Sequence, residues 1–214
     1  MPEPHLDPET LSRRKFLRGA GGVAAGGVLV QGLLASTPAE ERAGTSAGTS
    51  PEGETLEGEI EIELSINGEA RKLKCEPRTT LLSALRNRCE PALTGTKEVC
   101  DRGNCGACTV HVDGQPALAC LLLAADLRGR KIRTIEGLGT PEKLNPLQQS
   151  FWSHDGQMCG FCTPGFVMAI QACLDKKPQA SLAEIKRACS GNVCRCGTYP
   201  AVFEAALAVA KGGK

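Results

Sequence analysis

Twelve cysteines stand among the 214 residues, and eight of them fall into two tight sets. Cys100, Cys105, Cys108 and Cys120 follow the pattern C-x4-C-x2-C-x11-C. This is the spacing of plant-type [2Fe–2S] ligands, in which two neighbouring irons each take two thiolates. One loop must then supply three ligands from nearly one spot. Gly103 and Gly106 lie inside that loop, where positive φ lets backbone N–H groups approach sulfur and offset the charge of a reduced cluster. The second set is Cys159-x2-Cys162, then, after 31 residues, Cys194-x-Cys196. Its pairs lie beside Thr163-Pro164 and near Gly191 and Gly197, at turns or helix starts, whose partial positive charge suits an anionic centre.

Three other uses of cysteine compete. Disulfides are open to an exported protein, a tetrahedral four-thiolate zinc site suits C-x2-C pairs, and unliganded thiols are often buried. The glycine-flanked clustering in fours favours two iron–sulfur centres. Cys75, Cys89, Cys173 and Cys189 remain outside both sets. They read as buried thiols, with a disulfide among them left open.

The elements that must position these thiols form an α+β pattern. Ile60 to Ile66 alternates apolar and polar residues, the period of a half-buried strand. Asn67-Gly68 is a hairpin turn, and residues 69–75 return. Thr80 caps a short helix from Leu81 to Arg88. Thr109 to Val112 is a strand turned by Asp113-Gly114, and Lys131 to Ile135 is a last strand. The second half is helical. One helix spans Leu144 to His154. Thr163 caps the next, with Pro164 at its first position, and it runs to about Asp175. Ser181 and Glu184 form a capping box for a third, and Pro200 opens a fourth that ends near Gly212. The halves divide near Gly137–Pro141, giving 59–137 and 138–214.

The first 58 residues contain no cysteine. Arg13-Arg14-Lys15-Phe16-Leu17 precedes a glycine-interrupted apolar run to Leu34. Residues 1–35 thus read as a twin-arginine (Tat) signal peptide, and residues 36–58, rich in Thr, Ser, Gly, Pro and Glu, as a flexible linker. A net charge of +1 gives no reason to expect nucleic acid as a partner. No apolar run reaches the ~20 residues of a membrane span. No Ser/His/Asp set stands out as catalytic, and His154 reads as a helix end rather than a metal ligand.

Residues 59–214 resemble the iron–sulfur subunit of molybdenum hydroxylases, the xanthine oxidase and aldehyde oxidoreductase group. Four ordered stretches carry the resemblance: Leu93-Thr94-Gly95-Thr96-Lys97, Cys105-Gly106-Ala107-Cys108-Thr109-Val110, Cys159-Gly160-Phe161-Cys162-Thr163-Pro164-Gly165 and Ser190-Gly191-Asn192-Val193-Cys194-Arg195-Cys196. It implies a ferredoxin-like β-grasp domain followed by a four-helix bundle, each holding one [2Fe–2S] cluster. It further implies a large partner subunit with molybdopterin and molybdenum. Electrons would enter at Cys159, Cys162, Cys194 and Cys196 and leave through Cys100, Cys105, Cys108 and Cys120 to a flavin (FAD) subunit, a cytochrome c or a quinone. The family's glutamine before the first cysteine of the C-terminal set is replaced by Met158, with Gln157 one place earlier.

The ending Cys194 to Tyr199 resembles the branch acting on aldehydes or N-heterocycles. The expected function is an electron-transfer subunit of an oxidoreductase, not catalytic alone, and periplasmic. A free-standing ferredoxin-like carrier and a four-cysteine zinc-binding interaction module are the alternatives. A Tat signal accords with this chemistry, because that route exports folded, cofactor-loaded proteins.

Overall fold

The computed structural model describes residues 55–212. The expected signal peptide, residues 1–35, lies outside the described residues, as does the expected linker up to residue 54.

Strand β1 (Ile60–Ile66) and strand β2 (Glu69–Cys75) pair antiparallel from Ile60↔Cys75 to Ile66↔Glu69. Asn67 and Gly68 join them with positive φ of 53° and 87°, the backbone that a two-residue hairpin requires. Helix α1 (Leu81–Asn87) starts at Thr80, whose hydroxyl accepts from the Ser83 N–H at 3.2 Å. Strands β3 (Thr109–Val112) and β4 (Gln115–Leu118) form a second hairpin, and β5 (Lys131–Arg133) completes the sheet. The order is β2-β1-β5-β3-β4. Strands β1 and β5 run parallel at its centre.

Strand β5 stops at Arg133, two residues short of the expected Ile135. The cause lies in the first hairpin turn. Asn67 Oδ1 accepts from the Thr134 N–H at 2.8 Å, and Asn67 Nδ2 donates to Thr134 Oγ1 at 3.0 Å. A turn side chain thus replaces the next ladder bond, and Ile135–Gly137 coils into a 3-10 turn.

Four further helices follow: α2 (Pro146–Ser153), α3 (Thr163–Lys176), α4 (Leu182–Ala188) and α5 (Tyr199–Ala210). Helix α2 begins later than expected, because Asn145 and Gln148 form a capping box with Pro146 just inside. Ser181 and Glu184 cap α4 as expected. Thr163 does not cap α3. It is the first helical residue, and Cys162 occupies the capping position.

Two apolar cores result. One joins Ile62, Leu64 and Ile66 of β1 to Leu81, Leu82 and Leu85 of α1. The other joins Phe151, Phe166, Ile170 and Val202 of the helices. Strand β3 serves both halves, since alternate side chains face opposite ways. Val110 and Val112 enter the sheet core, whereas buried His111 places Nε2 2.7 Å from the Met168 carbonyl of α3. A carbonyl only accepts, so that nitrogen carries the proton. Among the described residues, no helix is long and apolar enough to cross a membrane.

Candidate metal centres

The first set gathers where the loop after α1 runs into β3. Cys100 and Cys105 are half-buried at the rim, while Cys108 and Cys120 are buried in the sheet core. Asp101, Gly103 and Gly106 take positive φ, which curls the loop around its own sulfurs. The Asn104 N–H donates to Cys100 Sγ at 3.3 Å. The Cys100 thiol is lowered to about 7, first by the Arg102 N–H, with the Cys105 thiol and the N–H groups of Asn104 and Cys105 adding to it against burial. Burial, helped by the adjoining Cys120 thiol and opposed by the Cys120 N–H, pushes Cys108 up to about 12.

The carbonyls of the loop's inner arm are each held from outside. Val193 N–H donates to the Cys105 oxygen at 2.9 Å, Asn192 Nδ2 to Gly106 at 3.0 Å, Lys97 N–H to Ala107 at 3.3 Å, and Ala119 N–H to Cys108 at 3.2 Å. Thr109 Oγ1 also donates to the Gly106 oxygen at 2.6 Å. A Cβ at Gly106 would stand 2.6 Å from the Gly191 oxygen, and one at Gly165 would overlap the Gly106 oxygen. Only glycine permits α3 and the 191–194 turn to seat directly on this arm.

The second set lies where α3 and α5 begin. Cys159 and Cys196 are exposed, Cys162 is half-buried and Cys194 is buried. The Phe161 N–H and then the Cys196 thiol lower Cys159. Burial, followed by the Cys194 thiol, pushes Cys162 up to about 12. Burial works against ionisation of Cys194 too, but the Thr198 hydroxyl and N–H, the Cys162 thiol and the Gly197 N–H bring it down to about 7. The Cys194 N–H itself donates to Tyr199 Oη at 2.8 Å.

The eight thiols stand as four couples, one inner and one outer at each set. The pairs are Cys100 with Cys105, Cys108 with Cys120, Cys159 with Cys196, and Cys162 with Cys194. Among the described residues, no three His, Cys, Asp or Glu side chains meet as a site for one metal ion. Two pairs per set would suit a two-iron cluster, with one pair for each iron. Among the described residues, two buried side-chain hydroxyls have no partner, Thr96 Oγ1 and Thr163 Oγ1. Thr163 follows Cys162, and Thr96 precedes the residue bonded to Ala107. Sulfur acceptors at the two sets would fit these orphaned donors.

Cys75, Cys89, Cys173 and Cys189 are free thiols, all buried except half-buried Cys173. Cys189 is the C-terminal cap of α4. His154 is the C-terminal cap of α2, with Nδ1 2.9 Å from the Ser150 oxygen. Lys97 lies over the Phe161 ring, 5.7 Å from its centroid, and so joins the two sets from the side. Gln157 lines a cavity of about 460 Å³ with Trp152, Thr163 and Pro164, whereas Met158 is 77% exposed. Sequence reasoning missed the bridging by Asn192 and Val193, although both lie inside a motif it had singled out. It also missed the roles of Thr198, Tyr199 and His111, which carry no spacing signal.

Known proteins share this arrangement. A 2Fe-2S iron-sulfur cluster binding domain family matches residues 69–155, and a [2Fe-2S] binding domain family matches residues 134–207. The aldehyde oxidoreductase iron-sulfur-binding subunit of Escherichia coli (strain K12) is 38% identical over 220 residues, covering 95% of this chain and 89% of that one. The nicotine 6-hydroxylase small subunit of Paenarthrobacter nicotinovorans is 43% identical, over 69% of this chain and 88% of its own length. The structure of quinoline 2-oxidoreductase from Pseudomonas putida 86 aligns with a TM-score of 0.68 at 42% identity, covering 72% of this chain and 96% of that chain.

The chain belongs to the iron–sulfur subunits of the molybdenum hydroxylase family. It is an electron-transfer subunit of an oxidoreductase complex, with two [2Fe–2S] clusters of its own and molybdopterin in the partner subunit.

Proposed function

We propose that Cys100, Cys105, Cys108 and Cys120 hold one cluster and Cys159, Cys162, Cys194 and Cys196 the other. The observation that carries this is the grouping of eight thiols into two foursomes, each split into an inner and an outer pair. When bound, the clusters supply one-electron redox chemistry, so the two electrons of a substrate oxidation leave singly. The chain's own part is to hold the two cradles in register. Its shortest link is the bond from the Val193 N–H, beside Cys194, to the Cys105 carbonyl.

For the direction of electron flow we propose entry at the second set and exit at the first. The second set is rimmed by exposed Trp152, Met158, Phe161 and Val193, an apolar edge suited to a permanent partner. We assign it to the molybdopterin subunit, with exposed Gln157 one residue before Met158 on that face. The first set is rimmed by exposed Val99 and Leu121 beside Arg102, and faces an electron acceptor, a FAD subunit or a cytochrome c. Aldehydes or N-heterocycles are the substrate class of the complex, in keeping with the aldehyde and nicotine enzymes among the relatives.

The Arg13-Arg14 signal would carry the folded, loaded chain to the periplasm. Supporting this are the paired arginines followed by Phe16-Leu17 and the glycine-interrupted apolar run to Leu34. Two tests apply. Purified complex should show two [2Fe–2S] EPR signals on reduction, and one signal alone would refute the two-cluster assignment. Changing Arg13 and Arg14 together to Lys should trap loaded complex in the cytoplasm; continued export would sink the localisation.

A further inference from the structure

Thr198 holds the N-cap position of α5, where a threonine ordinarily accepts a bond from an N–H in the first helical turn. It makes no such bond. Thr80, Asn145 and Ser181 do cap α1, α2 and α4 at the same position. Among the described α-helices, the two without a side-chain cap are α3 and α5, the two that open at the second thiol set. In α3 the capping position is taken by Cys162 itself. In α5 the Thr198 hydroxyl has turned away from the helix, and Oγ1 stands 3.1 Å from Cys194 Sγ. Departures from a local rule of this kind gather at functional sites.

A cluster-bound sulfur carries no proton, so the hydroxyl must be the donor. Its bond strengthens as negative charge on the acceptor grows. Reduction adds one electron to the centre and part of that charge to its sulfurs. The bond therefore favours the reduced form over the oxidised one. We propose that the Thr198 hydroxyl, acting through the Cys194 thiolate, raises the reduction potential of the second centre and so tunes it as the receiver of electrons from the partner subunit. This rests on the reading that Cys159, Cys162, Cys194 and Cys196 hold a cluster. Thr198 is a positioning residue: its proton stays on oxygen, and reduction at this bond is an electron gain alone.

The test is an EPR-monitored redox titration of the full chain in its complex, with dithionite as reductant and mediators present. Thr198→Val removes the donor and keeps the shape; Thr198→Ser keeps the donor. Valine should weaken electron binding at the second centre about tenfold, a fall of about 59 mV for one electron. Serine should hold the native value to within about twofold, or about 18 mV on the same scale. The first centre should stay put in both. An unchanged second midpoint in Thr198→Val overturns the proposal, and so does an equal shift of both centres. If valine and Thr198→Ala both lose the second centre while serine keeps it, the hydroxyl is needed for assembly and the tuning role is overturned. A native complex with only one [2Fe–2S] signal overturns the cluster assignment instead, and this proposal with it.

Discussion

The two cradles hold the same number of thiols by different means. In the first, three of the four come from a nine-residue loop, Cys100 to Cys108, that curls on its own positive-φ positions. Cys120 joins from the 3-10 turn after β4. In the second, two short segments 31 residues apart meet only because α3 and α5 pack with their N-terminal ends together. The first is a local device set into a sheet, and the second is a product of tertiary packing. The second should therefore be more sensitive to distant changes in its helices. Their inner thiols differ too. Cys108 and Cys162 are both pushed up to about 12 by burial, whereas Cys194, though buried, is brought down to about 7 by donors at the start of α5.

The largest effects should come from the ligands. Cys194→Ser should remove the second EPR signal and about half of the iron, leaving the first signal. Cys108→Ser should do the reverse. Loss of both signals from either variant would show that the cradles assemble as one unit rather than two. Next come the glycines. Gly106→Ala places a Cβ at φ +69 and 2.6 Å from the Gly191 oxygen. It should lower the iron content of both centres, because Gly106 is where they touch. Gly160 has φ +78 but open space around it. Gly160→Ala should cost only the backbone strain, about 1 kcal/mol, and should disturb the second centre alone. Asn192→Ala should be milder than Gly106→Ala. It removes one donor from the Gly106 oxygen, which keeps Thr109, so a loss of about 1 kcal/mol in thermal or denaturant unfolding is expected.

Most of this was legible because it is local. Alternation over Ile60–Ile66, the Asn67-Gly68 turn and the Ser181–Glu184 box are each written within seven residues, and the spacing of the first thiol set within the 21 from Cys100 to Cys120. The second set was legible as two pairs, but its meeting point was not, since that depends on how α3 crosses α5. The departures lie where the local pattern does not fix what a side chain will do. Asn67 bonds to Thr134 and ends β5 early. Thr198, for which no role was legible in the sequence, turns to Cys194. Thr163 enters the helix and leaves the cap to Cys162. Asn192 and Val193 were visible as motif members, but nothing in the sequence said that they would reach across to Gly106 and Cys105.

The smallest effect tests the seam between the halves. His111 is buried between β3 and α3, and burial holds its pKa below the ordinary 6.5, outweighing the Met168 carbonyl, which favours the charged form. Asp175 favours the charged form as well, while Arg133 and Lys176 oppose it. A depressed folded-state pKa means that the folded chain binds the proton less readily than the unfolded one. The stability from neutral His111 is therefore complete above about pH 6.5 and is lost as pH falls through the lower folded-state value. His111→Gln keeps a donor to the Met168 carbonyl without the titration. Native complex should lose thermal stability between pH 7 and 5 more steeply than His111→Gln. Since acid also attacks iron–sulfur centres, the difference between the two curves is what reports on the histidine. Parallel curves would mean that the seam does not titrate, and that β3 and α3 are held by the apolar packing beside His111 alone.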